Sequence, residues 1–345
     1  MARAAIGVDL GGSHVMAAVV DEDGAIHDKF EHEIEDRAPA AVVGALTEVV
    51  KSAIGSTKHD VVGIGVGSPG NIDPVSGTIR FSPNFGWTDV PLGARVRDAF
   101  PKYTIFVGND ARCATLGEYV HGVGRGTRDF VLLTLGTGIG GGIVANGAVA
   151  LGYQVGAGEI GHHQIRPDGG FICSCGKIGC FEAQASGTGL LRHAFRLAPS
   201  FPRSMLLDPQ PIKEKDRDKE GEDGRNWRDR LGSKRIRKAA QAGDAHALAT
   251  WNAFCDDLAL GLANVIAFVN PEVIALGGGV SSAGDFLLDR VKPLVEIRTT
   301  MVPRGTTRIV RALLGNDAGA VGAATAAMRG GLIAQLPAAA PAAGS

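Results

Sequence analysis

Residues 159–182 gather three of the chain's five cysteines, Cys173, Cys175 and Cys180, behind an adjacent histidine pair, His162 and His163. Two thiols one residue apart, a third five residues later, and an imidazole across a Pro/Gly-rich loop supply the soft ligands of a closed tetrahedral site. Zn²⁺ is the metal expected, with either His162 or His163 completing the set. Four protein ligands leave no open position, so the ion is expected to staple the loop rather than activate water. An odd cysteine cluster is a poor disulfide framework, and no secretory segment precedes it. Glu159 and Glu182 bracket the ligands. A metal clip that fixes two carboxylates and an imidazole suits a hydroxyl-rich ligand, a polyol. Cys113 and Cys255 stand alone in apolar surroundings and are expected to be buried as small hydrophobes.

A chain of 345 residues, 45% of them hydrophobic, has enough apolar material for two domains. Its formal net charge of −1 gives no electrostatic footprint for nucleic acid or an anionic membrane. No apolar run is expected to reach the length of a membrane span and no signal pattern opens the sequence; with free cysteines expected, a cytoplasmic location is expected. The 50 glycines clump beside strand-like runs, as in loops that let a ligand approach the backbone.

Residues 4–10 read as a buried strand reaching Asp9, followed by a Gly11-Gly12-Ser13-His14 turn, a second strand at 15–20 and a third at 26–34. Such a turn can wrap N–H groups around phosphate while the acid faces Mg²⁺; a plain glycine-rich hairpin reads the same way. A helix is expected at 40–54 and a buried strand at 61–66 opening into Gly67-Ser68-Pro69-Gly70. Asn84 lies in a second loop of special backbone geometry, where it can meet a hydroxyl or close a turn. The strand at 104–107 runs into Gly108-Asn109-Asp110 and a helix at 111–119. Asp110 is therefore placed as a cleft-facing general base or as a helix cap, two roles that are compatible.

The strand at 130–135 leads into Gly136-Thr137-Gly138-Ile139-Gly140-Gly141, a match to the dinucleotide fingerprint, but that motif needs a helix next. Ile143-Val144 continue as strand and Asn146-Gly147 signal a hairpin, so a phosphate-cradling turn is expected instead. Helices follow at 185–197, 233–240 and 245–268. Residues 213–230, of mixed charge, read as a solvated insertion. A strand at 273–276 opens into Gly277-Gly278-Gly279, a third glycine loop suited to adenine or ribose, and the last helix covers 318–329.

Together, Asp9-Leu10-Gly11-Gly12-Ser13, Asn109-Asp110, Gly136 to Gly141, Glu159-x-Gly161-His162 and Cys173-x-Cys175-Gly176-x-x-Gly179-Cys180-x-Glu182 resemble the ROK family (repressor, open reading frame, kinase). The resemblance runs from Ile6 to about Arg329, and within the family it is strongest to the bacterial ATP-dependent glucokinases. It implies an α/β, two-domain actin-like ATPase (ribonuclease H-like) fold with an interdomain cleft. The expected small domain is 1–111 plus about 318–335, and the large one is 112–317, with the charged insertion at about 199–232. Residues 336–345 are expected to be a disordered tail.

By the same resemblance, Asp110 is the catalytic base, and Gly70, Asn84, Asn109, Glu159, His162 and Glu182 join it in binding sugar. Asp9, Gly11, Gly12, Ser13, Thr137, Gly138, Gly278 and Gly279 face the nucleotide. His162, Cys173, Cys175 and Cys180 hold zinc. The implied activity is transfer of the ATP γ-phosphate, with Mg²⁺, to the 6-hydroxyl of glucose. N-acetylglucosamine, N-acetylmannosamine or fructose are the alternatives within the family, and a non-catalytic sugar sensor is the alternative outside it. A homodimer or homotetramer is implied as well. The first turn departs from the family's usual Thr followed by Lys or Asn, carrying Ser13 and His14; serine keeps the hydroxyl. The repressor branch carries a helix-turn-helix ahead of that turn, where this sequence has only a few residues.

Overall fold

A computed structural model describes residues 2–208 and 227–332. Most of the charged stretch, 209–226, and the tail at 336–345 lie outside the described residues. The chain opens with β1 (Arg3–Leu10), β2 (His14–Asp21), β3 (Ile26–Glu33), α1 (Pro39–Ser56) and β4 (Asp60–Ser68). A small antiparallel sheet follows, β5 (Asn71–Ile72), β6 (Ile79–Ser82) and β7 (Trp87–Val90), then α2 (Leu92–Ala99), β8 (Thr104–Asn109) and α3 (Asp110–His121). The second half begins with β9 (Phe130–Leu135), β10 (Ile139–Ala145) and β11 (Ala148–Val149). It continues through α4 (Phe181–Ala185), α5 (Gly187–Leu197), α6 (Ser233–Gln241) and α7 (Ala245–Val269). β12 (Val273–Gly277), α8 (Gly278–Ser281), α9 (Asp285–Arg298), β13 (Arg308–Arg311) and α10 (Ala318–Arg329) complete it.

The two main sheets repeat one topology. The first is ordered β3-β2-β1-β4-β8 and the second β11-β10-β9-β12-β13. In each, an antiparallel hairpin supplies the central strand, which pairs in parallel with the next. The glycine turns after Asp9 and Leu135 therefore occupy equivalent places, each joining the first two strands of its sheet. The strand β10, which begins at Ile139 inside the glycine motif, excludes the dinucleotide fold, as the missing helix predicts.

Central strands buried on both faces need continuous apolar runs. In β1, Ala4, Ala5, Ile6, Val8 and Leu10 are all fully buried, whereas edge strand β3 is mostly exposed. α1 starts with Pro39 in its first turn and turns Val42, Leu46, Val49, Val50 and Ala53 inward, the spacing of one helical face. The last helix, α10, returns to the first sheet. A Cβ on Gly7 of β1 would lie 1.9 Å from the Ala320 carbonyl oxygen, and one on Gly65 of β4 would lie 1.9 Å from that of Ala323. Only glycine lets helix and sheet backbones come this close.

One expectation is corrected. Among the described residues α7, at 25 residues, is long and apolar enough to cross a membrane by length and composition. Its Trp251, Phe254, Leu258, Leu262 and Ile266 instead pack into the core of the second half, with Asp256 and Asp257 on the same helix meeting Arg166. The expected helix at 185–197 is split by Ser186, whose hydroxyl caps α5 by accepting from the Gly189 amide at 3.1 Å.

Candidate active site

Between the two halves lies a cavity of about 550 Å³. Strand ends and helix starts from both sheets meet there, the usual place for ligands in open α/β folds. Of the residues singled out in the sequence, Asp9, Gly70, Asn84, Asn109, Asp110, Gly138, Glu159, Glu182 and Gly278 line it. Gly11, Gly12 and Ser13 form the β1–β2 turn beyond Asp9, and they are not among the lining residues. Thr137 occupies the tip of the β9–β10 turn, its carbonyl accepting from the Thr188 hydroxyl at 2.8 Å. Gly279 sits within α8, one residue past the cavity wall.

Asn109 caps α3. Its side-chain oxygen accepts from the Arg112 amide at 3.1 Å and its amide donates to the Gly70 carbonyl at 3.2 Å. This leaves one further donor and one further lone pair on the same side chain. Asp110, the first residue of α3, is thus delivered to the cleft by a capped helix. The Ala111 amide donates to its Oδ1 at 2.8 Å. Burial pushes its carboxyl above the ordinary range, Glu159 adds to that, and the hydrogen bonds and Arg112 oppose it. Asp9 is pushed up to about 6 by burial and by Asp110. Two half-buried acids facing one cavity are a natural place for a divalent cation, which would relieve both penalties.

Glu182 enters from the first turn of α4. Its Oε2 accepts from the Ile139 amide at 2.9 Å and its Oε1 from the Ser174 hydroxyl at 3.2 Å, so it joins the glycine turn to the cysteine loop. A Cβ on Gly138 would lie 2.3 Å from that Oε2, so a side chain there would displace the Glu182 carboxylate. Glu159 precedes a short 3₁₀ turn, Ile160–His162, and its side chain remains 61% exposed.

That turn also decides between the two histidines. His163 Nδ1 lies 2.6 Å from the Ile160 carbonyl oxygen and its ring packs on Phe181 at 5.2 Å. His162 faces the thiols instead, its Nδ1 3.7 Å from Cys173 Sγ. The four candidate ligand atoms of His162, Cys173, Cys175 and Cys180 lie within 4.8 Å of one another, and the Cys175 and Cys180 sulfurs are 3.6 Å apart. Tetrahedral Zn–S bonds of about 2.3 Å require sulfurs about 3.8 Å apart, so the donor set fits zinc. His162 is not among the residues lining the cavity; its imidazole belongs to the metal cluster. Arg166 braces the loop on α7, donating to Asp257 at 2.7 Å and Asp256 at 2.9 Å.

Several functional features were not read from the sequence. Gly315, Asn316 and Gly319 wall the cavity where α10 begins, and Glu118, buried in α3, accepts from the Leu314 amide to hold that wall. Arg112 is the other. It lies buried behind Asp110 and donates to the carbonyls of Val155 and Ala157. An arginine set among the small residues Ala111, Cys113, Ala114 and Thr115 of α3 is the available signal.

A doubled sheet of this order around a cleft with acids at the strand ends defines the actin-like ATPase fold. Comparison with known proteins makes the assignment specific. The ROK family model matches residues 5–329. The glucokinase of Halalkalibacterium halodurans is 37% identical over 321 residues, spanning 92% of each chain. That of Thermotoga maritima is 36% identical over 327 residues, 93% of this chain and 96% of its own. Among solved structures, a ROK family glucokinase from Streptomyces griseus in complex with glucose and AMPPNP superposes with a TM-score of 0.76. It is 33% identical, and the match covers 93% of this chain and 98% of that one. The chain belongs to the ROK family.

Proposed function

We propose that the protein is an ATP-dependent glucokinase that transfers the γ-phosphoryl group of ATP to the 6-hydroxyl of glucose. The observation that carries this is the meeting of Asp110 in one cavity with two groups of residues. Glu159, Glu182, Asn109 and Asn84 form one, and the glycine turns at Gly138 and Gly278 with Asp9 form the other. A hydroxyl-binding set beside a phosphate-binding set, with a carboxylate between, is what phosphoryl transfer to an alcohol needs. Glucokinase relatives matched over nearly the whole chain support glucose as the acceptor.

In this mechanism Asp110 accepts the proton of the 6-hydroxyl as its oxygen attacks in line. The raised affinity of Asp110 for a proton brings it closer to the ideal for a base working near neutral pH. Glu159, Glu182, Asn109 and Asn84 orient the ring hydroxyls, and Gly70 lets the backbone approach. Amides of the glycine turns stabilise charge on the transferring group. Asp9 would hold Mg²⁺, which when bound neutralises phosphate charge. His162 and the three cysteines would hold zinc, keeping Glu159 and Glu182 at a set separation.

We also propose a small domain of residues 1–111 completed by about 318–335, with 112–317 as the large one; the packing of α10 on β1 and β4 supports that division. A cytoplasmic homodimer or homotetramer belongs to the same proposal, since free thiols in a metal set need a reducing compartment. Light scattering measures the copy number. The test of function is a coupled ADP-release assay over glucose, mannose, fructose, N-acetylglucosamine and N-acetylmannosamine, with ATP and polyphosphate as donors. Glucose with ATP is expected to give the highest kcat/KM. A clear preference for another sugar, or no sugar-dependent ATP consumption, overturns the proposal.

A further inference from the structure

Arg112 follows Asp110 by two residues on α3, and its side chain is only 4% exposed. A guanidinium keeps its charge inside a protein, so burial on this scale requires that the charge be answered. The answer comes from the loop ahead of the cysteine segment. Nη2 donates to the Val155 carbonyl at 2.7 Å and the Ala157 carbonyl at 2.8 Å, and it reaches Glu159 Oε1 at 3.5 Å. The backbone of that loop is one that these residues rarely adopt unaided. Gln154 and Val155 have φ of 51° and 54°, and a β-branched side chain in the left-handed region is an outlier. Outliers of this kind persist where surrounding contacts over-determine them, and they cluster at functional sites.

We infer that Arg112 is the positioning residue of the sugar site: its guanidinium holds the 152–159 loop in its left-handed form and aims Glu159, at a fixed offset from Asp110. This rests on the sugar-kinase function proposed above. Arg112 acts from behind the wall, since Glu159 lines the cavity and Arg112 does not. The guanidinium links the helix that delivers the base to the loop that orients the hydroxyls, so the two move together. Lysine is a poor substitute here. Its ammonium ends about where the guanidinium carbon lies, one bond short of the nitrogen that makes all three contacts.

The test is a kinetic cycle on the zinc-loaded full chain, comparing wild type, Arg112→Met, Arg112→Lys, Glu159→Gln and the double variant Arg112→Met/Glu159→Gln. Arg112→Met is expected to raise KM for glucose roughly 10- to 100-fold, as misplacement of a positioning group does. KM for ATP and the zinc content are expected to stay put, and Arg112→Lys to fall in between. In the Glu159→Gln background, Arg112→Met is expected to add little, because the two residues act as one unit. A factor that multiplies in full in the double variant overturns the inference. So does an unchanged glucose KM, or an ATP KM that rises equally. Should Arg112→Met fail to fold, Arg112→Lys carries the same cycle. The wild-type rate with glucose reports on the function and the ratios among variants report on Arg112. If another sugar proves to be the substrate, the same ratios are read with that sugar.

Discussion

Asp9 costs the fold stability, and the cost can be measured. Its carboxyl is pushed from an ordinary 3.8 up to about 6, first by burial and then by Asp110. A group that binds its proton more tightly in the fold than in the unfolded chain destabilises the fold where it is ionised. The penalty is fully present above pH 6, shrinks as pH falls toward 3.8, and is gone below that. The gap corresponds to about 3 kcal/mol. Asp9→Asn keeps the shape and removes the charge. At pH 8 in EDTA the variant is therefore expected to be more stable by about 3 kcal/mol, a rise in Tm of roughly 4 °C for a chain of this size. The assay is thermal unfolding by circular dichroism from pH 4.5 to 8, with and without MgATP. The difference between variant and wild type should shrink steadily toward the acid end. MgATP should also shrink it at pH 8, because a bound cation relieves only the wild-type carboxylate. Turnover should fall in the same variant. A Tm difference that is flat across pH, or a wild type more stable than the variant in EDTA, refutes the reasoning.

Asp110→Asn is expected to lower kcat roughly 10²- to 10⁴-fold with glucose affinity kept, by stopped assay and calorimetry; near-normal turnover removes Asp110 from the role of base. In the wild type, the acid limb of kcat/KM should lie above the ordinary carboxylate range, because burial raises Asp110 and the base works only when ionised. Cys175→Ser should abolish bound zinc by elemental analysis, raise glucose KM and lower Tm together; normal metal content contradicts the assigned donor set. Gly65→Ala should cost about 1–3 kcal/mol or more by forcing α10 off the sheet. Gly44→Ala, with no atom within 4 Å of the added methyl, serves as its control. Equal shifts in Tm for both would refute the packing account.

What was legible in the sequence was local chemistry. Buried central strands such as β1, β4, β9 and β12 announce themselves as apolar runs, and the cysteine cluster names its metal from donor type and spacing. A cap at the start of α3 was legible because capping works within a few residues, but the expected cap, Asp110, is the first helical residue and Asn109 caps the helix instead. What was hidden depends on partners far along the chain. The choice of His162 over His163 turns on a single 3₁₀ turn and the Ile160 carbonyl. Arg112 could be seen as odd but not explained, since its acceptors lie more than forty residues away. β5, β6 and β7 are two to four residues long, too short for alternation to register. Gly315 and Asn316 look like any turn until α10 is known to return to the first sheet. The length of α7 alone suits a bilayer, and only its packed face shows otherwise.

The groove cut by Gly7 and Gly65 is filled by a helix made almost a full chain length later. During synthesis the first sheet emerges with that face open, and it stays open until α10 itself has been made. The amino-terminal half therefore cannot reach its final form alone, so chains stalled before α10 should present an apolar face to chaperones and proteases.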